Sequence, residues 1–200
     1  MSILSELQNL VSVGAKEQDL QKVLKKDLSL LAKAYANSTD EYICFSELSI
    51  GTTGEVDFAV FTHRSFMYIY LIEVKGADFN LINNATKKGT VFNSKILEAI
   101  DQIIRRQSYA TANEQVFNKE VPDLRLTIES GSQKYNSLLC NKGRLNVDRD
   151  KPVRVYGVVI GGRRNTMLQH VEDQKRKEWM NALKIDIKIE SWDSFIDKIR

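Results

Sequence analysis

The segment Phe66-Met-Tyr-Ile-Tyr-Leu-Ile-Glu-Val-Lys-Gly76 is apolar at odd and even positions alike until its last residues. Successive side chains of a strand point to opposite faces, so such a run is buried on both sides. A strand of this kind needs helices above and below its sheet, which restricts the chain to an α/β architecture. The segment before it, Glu55-Val-Asp-Phe-Ala-Val-Phe61, reads as a second strand, joined through the short connection Thr62-His-Arg-Ser65.

The remaining pattern agrees with a mixed α/β order. From Ser12 onward, Leu20, Val23, Leu24, Leu28 and Leu31 recur at spacings of three and four, predicting one amphipathic helix. Tyr42 to Ile50 reads as a first strand and Gly51-Thr-Thr-Gly54 as a turn. The polar stretch from Gly76 to Asn93 reads as a loop able to close over the end of the third strand. A helix is predicted over Ser94 to Asn113 from Ile96, Leu97, Ile100, Ile103 and Ile104. Between Glu114 and Lys151 the signal is weak. Val153 to Ile160 is a buried strand, followed by a helix over Thr166 to Leu183, a strand over Ile185 to Glu190 and a short helix from Ser191. Nothing divides the chain, so a single domain over residues 1–200 is expected, with its core at about 15–198.

Composition excludes several classes. With 42% hydrophobic and 28% charged residues the chain can build a core and remain soluble. A net charge of +3 permits a polyanionic partner without requiring one. Cys44 and Cys140 make neither a disulfide framework nor a zinc site, and His63 and His170 offer no ligand pair. No signal peptide or membrane-spanning run is visible, so a cytoplasmic protein without membrane contact is expected.

The charges at the strand ends carry the chemistry. A Glu-x-Lys triplet alone is expected by chance in a chain of this length, and usually marks a solvated pair. Here Glu73-Val-Lys75 follows an apolar run, where charge is costly unless paired or bound to metal. Asp57 lies within the preceding strand, although Asp disfavours strands. The group reads either as a charged strand end or as a metal–carboxylate site. In the second reading Asp57 and Glu73 hold one or two Mg2+ ions through hard oxygens, and the Val74 carbonyl completes the shell. Lys75 then orients or helps deprotonate an attacking water and offsets charge growing on a phosphate. Glu17, on the apolar face one turn before Leu20, is either a first-turn residue favoured by the helix dipole or a group looking across at the sheet.

Asp57, then Glu73-x-Lys75 on the next strand, behind a helix carrying Glu17, resembles the PD-(D/E)XK nuclease pattern. More narrowly, the chain resembles the nuclease domain of the Shedu anti-phage defence family. Supporting matches are Glu17-x-x-Leu20-x-x-x-Leu24, Ala99-Ile-Asp-Gln102, Val158-Val-Ile-Gly161 with Arg163, and Trp192-Asp-x-Phe195. The resemblance covers about residues 15 to 198. It implies a restriction-endonuclease-like three-layer fold with a central mixed sheet, Mg2+ (with Mn2+ able to substitute), and DNA cleavage by a homo-oligomer. It makes Asp57 and Glu73 metal ligands, Lys75 the catalytic lysine, Glu17 the helix-borne acid and Gln102 the polar residue of the following helix. Gln102 falls off its helix's apolar stripe and Gln107 falls on it, so either can face the site.

Three basic pairs are solvated surface pairs or phosphate contacts: Lys87-Lys88, Arg105-Arg106 and Arg163-Arg164. The last is favoured because Gly161-Gly162 permits a close approach of backbone to ligand. Two alternatives to a defence nuclease stand beside it: a catalytically silent nucleic-acid-binding or assembly module, and a repair or restriction nuclease.

Overall fold

The computed structural model describes residues 2–36, 41–62, 65–85, 89–149, 151–183 and 186–200. His63, Lys87 and Lys88 lie outside these residues. The helices are α1 (Ile3–Ser12), α2 (Glu17–Lys26), α3 (Ser29–Tyr35), α4 (Ser94–Ala112), α5 (Glu114–Glu129), α6 (Gln169–Leu183) and α7 (Trp192–Ile199). The strands are β1 (Tyr42–Ser49), β2 (Glu55–Thr62), β3 (Met67–Val74), β4 (Ile82–Ala85), β5 (Gly89–Phe92), β6 (Asn136–Leu139), β7 (Val153–Ile160) and β8 (Ile187–Glu190).

Six strands form one mixed sheet in the order β6-β1-β2-β3-β7-β8. β6, β1, β2 and β3 pair antiparallel, while β3, β7 and β8 run parallel. β3 is therefore central, as its two apolar faces require. Ile69 and Leu71 of β3 join Ile96, Ala99, Ile100 and Ile103 of α4 in one core. Tyr70, Ile72 and Val74 join Leu20, Leu24, Leu31, Trp192 and Phe195 from the helices of the other face. Each fully buried side chain of this size contributes about 1.5–3 kcal/mol. Helices on both faces of the sheet make three layers. Among the described residues no helix is long and apolar enough to cross a membrane.

Three local expectations change. The single helix expected after Ser12 is two helices. Asp27 leaves helical geometry at φ −145°, and its Oδ1 accepts the Ser29 amide at 3.0 Å, a local bond that competes with the helix. The segment 76–93 is more than a loop, because β4 and β5 pair antiparallel within it. The weak stretch after Glu114 holds α5, with Pro122 inside it, and β6, which extends the sheet beyond β1.

Candidate functional site at the end of the central strand

The β2–β3 ladder runs from Thr62–Tyr68 to Phe58–Ile72, and Asp57 and Glu73 are the next residue on each strand. Here a side chain takes over from the ladder: Asp57 Oδ2 accepts the Val74 amide at 2.8 Å. Val74, expected to lend a carbonyl, thus has its amide engaged by Asp57, while its side chain lies in the opposite core. The parallel pairing continues alongside, with Glu73 beside Val159 and Val74 beside Ile160. The cluster therefore sits at the carboxyl end of two parallel strands, where open α/β sheets form their ligand crevices.

Lys75 follows directly, and its backbone is pinned on two sides. Its amide donates to the Ile160 carbonyl at 2.8 Å, and its carbonyl accepts Trp192 Nε1 at 2.8 Å. Its ammonium lies 3.6 Å from Glu17 Oε2, at the first residue of α2. Glu17 thus looks across at the sheet, the second of its two readings, from the first-turn position that the helix dipole favours.

Electrostatics confirm that these groups feel one another. Burial pushes the Glu73 carboxyl up to about 8; the Asp57 charge adds to this, and Arg106 and Lys75 oppose it. Burial likewise raises Asp57, against the Val74 amide, Lys75 and Arg106. Glu17 is raised by burial, with Lys75 opposing and the charges of Asp57 and Glu98 adding. Glu98, an exposed residue of α4, was not among the expected site residues.

Arg106 was expected at the surface beside Arg105, and the structure separates the two. Arg105 is exposed and paired with Asp101 one turn away. Arg106 is inside: its Nη1 lies 2.9 Å from Glu73 Oε1, with side-chain exposures of 8% and 4%. Its Nη2 donates to the Glu55 carbonyl. The contact with Glu73 is within ion-pair distance but lacks hydrogen-bond alignment, so Glu73 Oε1 and Arg106 Nε are both buried without a hydrogen bond. The apolar positions Ala99, Ile103 and Ala110 bracket Arg106 at spacings of four, three and four, a signal that marked it as inward-facing.

The two glutamines separate as well. Gln107 is buried and donates to the carbonyls of Val155 and Asp186 at 3.3 and 3.2 Å. Val155 lies four residues before Val159 on β7, about 13 Å from the cluster at strand rise. Gln102 stands one turn before Arg106 on α4, and its Oε1 is buried without a hydrogen bond.

Arg163 and Arg164 follow Gly161, which stands against Lys75, but open on a different cavity. They line a cavity of about 630 Å³ with Gln8, Asn80, Asp193 and Asp197, to which Asp57, Glu73 and Lys75 do not contribute. Arg164 is tied to α7 through its amide to Asp193 (2.6 Å) and its guanidinium to Ser194 and Asp197 (both 3.2 Å). The glycines before them serve the chain itself. A Cβ on Gly161 would stand 2.8 Å from Lys75 Cβ, and one on Gly162, at φ +67°, would stand 2.7 Å from the Leu81 nitrogen. Close approach occurs there, but of backbone to backbone and side chain.

At this strand end the buried Glu73 and the half-buried Asp57 offer hard oxygen donors to a cation. Among the described residues no three His, Cys, Asp or Glu side chains form a ready cage. These features define an α/β protein with acidic groups and a lysine gathered at the carboxyl end of adjacent parallel strands. The model of the family described as Shedu protein SduA, C-terminal, matches residues 14–196, and the chain belongs to that family. Membership points to a role in anti-phage defence. Among curated proteins, none matches the chain.

Proposed function

We propose that the chain is a metal-dependent DNA endonuclease acting in the cytoplasm against phage, on a restriction-endonuclease-like version of its α/β fold. The observation that carries this reading is the pairing of the buried Glu73 carboxyl with the half-buried Asp57, whose charge raises the Glu73 pKa beside Lys75. Two like charges brought together in a desolvated place are costly unless a cation offsets them.

The residues fit Mg2+ by their chemistry. It takes one or two carboxylates and keeps several waters, so a two-carboxylate donor set suffices where a complete protein cage is lacking. The buried, unbonded Oε1 atoms of Glu73 and Gln102 are acceptors left for such a group. Mg2+, or Mn2+ in its place, would supply Lewis acidity at the phosphodiester and a bound water of lowered pKa. Asp57 and Glu73 would hold it, with the Val74 carbonyl beside them. Lys75, steadied by Glu17, orients the attacking water and offsets charge on the phosphate. Arg163, Arg164, Lys87 and Lys88 are proposed to contact the DNA backbone, and a homo-oligomer to bring two sites to two strands.

The test is cleavage of plasmid, linear and single-stranded DNA by purified protein with Mg2+, Mn2+ or chelator. Metal-dependent cleavage, lost in Glu73→Ala and Lys75→Ala proteins of native circular dichroism, is expected. Intact DNA in all three forms with both metals would sink the proposal. One observation favours a second reading: Arg106 already supplies Glu73 with a cation. A silent nucleic-acid-binding module would bind DNA in a salt-dependent manner, with neither metal dependence nor cleavage.

A further inference from the structure

We propose that Arg106 is a fixed internal cation beside Glu73 that sets the threshold for divalent-ion binding in the DNA-free protein. This rests on the metal-dependent reading above and goes beyond it, by assigning to an α4 residue control over when the site fills.

The geometry separates Arg106 from an ion pair built for stability. Such a pair uses the guanidinium fork in two parallel hydrogen bonds to the carboxylate. Arg106 instead anchors Nη2 on the Glu55 carbonyl, at the start of β2, and presents Nη1 to Glu73 Oε1 at 2.9 Å without hydrogen-bond alignment. Its Nε is buried and unbonded. The anchor is independent of Glu73, so the guanidinium keeps its place when the carboxylate turns to another cation. Glu55 lies two residues before Asp57, which fixes that positive charge near both proposed ligands.

A fixed positive charge weakens the binding of any cation nearby, and the repulsion on a divalent ion is twice that on the proton competing for the same carboxylate. Arg106 therefore disfavours occupancy of the free protein by divalent ions more than it disfavours protonation. A DNA phosphate brought to the site adds the negative charge that offsets Arg106. Metal and DNA then bind with positive coupling, which is reciprocal by linkage. Arg106 acts through Glu73 as a positioning residue, without touching substrate.

The test is the Mn2+ dissociation constant of the DNA-free protein, measured by titration calorimetry for wild type, Arg106→Gln and Arg106→Lys. Gln removes the charge and leaves a shorter polar side chain; Lys keeps the charge. We expect Arg106→Gln to tighten Mn2+ binding at least tenfold and Arg106→Lys to stay near wild type. Adding Glu73→Gln to Arg106→Gln should erase the gain, since the effect runs through that carboxylate. Wild-type binding that is unchanged or weakened in Arg106→Gln overturns the inference and leaves the proposed function standing. No Mn2+ binding in either wild type or Arg106→Gln also overturns the inference, while the cleavage assay decides the proposed function separately. If Arg106→Gln fails to fold, the guanidinium ¹⁵N resonances of wild-type Arg106 decide: they shift on Mn2+-analogue Mg2+ titration if Glu73 leaves it, and unmoved resonances at saturating metal overturn the inference.

Discussion

Replacing Glu73 by Gln should change the pH dependence of stability in a direction opposite to that of an ordinary carboxylate. Burial and the neighbouring Asp57 raise Glu73 from about 4.5 in the open chain to about 8 in the folded protein. The folded state then holds a proton that the unfolded state has released. The stability this provides is fully present below about pH 4.5 and is lost as pH rises through about 8. Between pH 5.5 and 7.5 one proton taken up on folding corresponds to roughly 1.4 kcal/mol per pH unit, a ceiling of about 2.5 kcal/mol. Asp57 and Arg106 respond to the charge on Glu73, so about 1–2 kcal/mol is the working expectation. Gln mimics the protonated carboxyl and does not titrate. Urea unfolding of both proteins, metal-free, at pH 5.5, 6.5 and 7.5 reads the effect. They should be nearly matched at pH 5.5, with the variant more stable by that amount at pH 7.5. A gap that stays flat, or that favours wild type as pH rises, refutes the electrostatic account of the site.

Four further outcomes follow from the geometry. Lys75→Ala should lower cleavage by about 10²–10⁴-fold, the range of a positioned acid–base group, with little change in melting temperature, because the Trp192 and Ile160 bonds engage only the Lys75 backbone. Gly162→Ala should destabilise by about 1–3 kcal/mol in chemical denaturation, since its Cβ would meet the Leu81 nitrogen at 2.7 Å in a left-handed conformation. Gln107→Ala should cost about 1 kcal/mol of stability, from its bonds to Val155 and Asp186, and leave Mn2+ affinity unchanged. Gln102→Ala should leave stability within about 0.5 kcal/mol and weaken Mn2+ binding; equal effects of the two glutamines would contradict their separation along α4.

β1, β2, β3, β7 and β8 were legible because their signal is local, alternation and apolar runs that only a covered sheet accommodates. β4, β5 and β6 are short and carry no such run, and the order β6-β1-β2-β3-β7-β8 depends on pairings between distant segments. The break at Asp27 was not, since the leucine spacing runs through it and a single side-chain bond decides the turn. α5 was hidden by Pro122 and by its short list of buried positions: Phe117, Val121, Arg125 and Ile128. One of those is charged, and Arg125 is satisfied by the Leu145 and Val147 carbonyls and Glu129. Arg106 shows the same blindness at the site. A charged residue is assigned to solvent by default, although its place on the α4 stripe marked it as inward-facing. The acidic groups and Lys75 were found because charge at the end of an apolar strand is locally anomalous, whereas the partner that neutralises it arrives from a distant helix.

The site joins a rigid frame to a loosely satisfied set of charges, and this division explains how the chain can keep it. Trp192 is fully buried and holds the Lys75 carbonyl, β7 holds the Lys75 amide, and Phe195 packs against the indole edge-on at 5.8 Å. The cores on both faces of β3 thus fix where the strand ends. What they fix is electrostatically poor: two carboxylates with raised pKa values, an ion pair without hydrogen-bond alignment, and an ammonium held only at 3.6 Å. A strand end selected for stability alone would replace these groups with apolar ones, which in buried ion pairs is often neutral or stabilising. Loosely satisfied charges at the end of a strand whose position is fixed by tight packing on both faces are what the proposed metal chemistry would draw on.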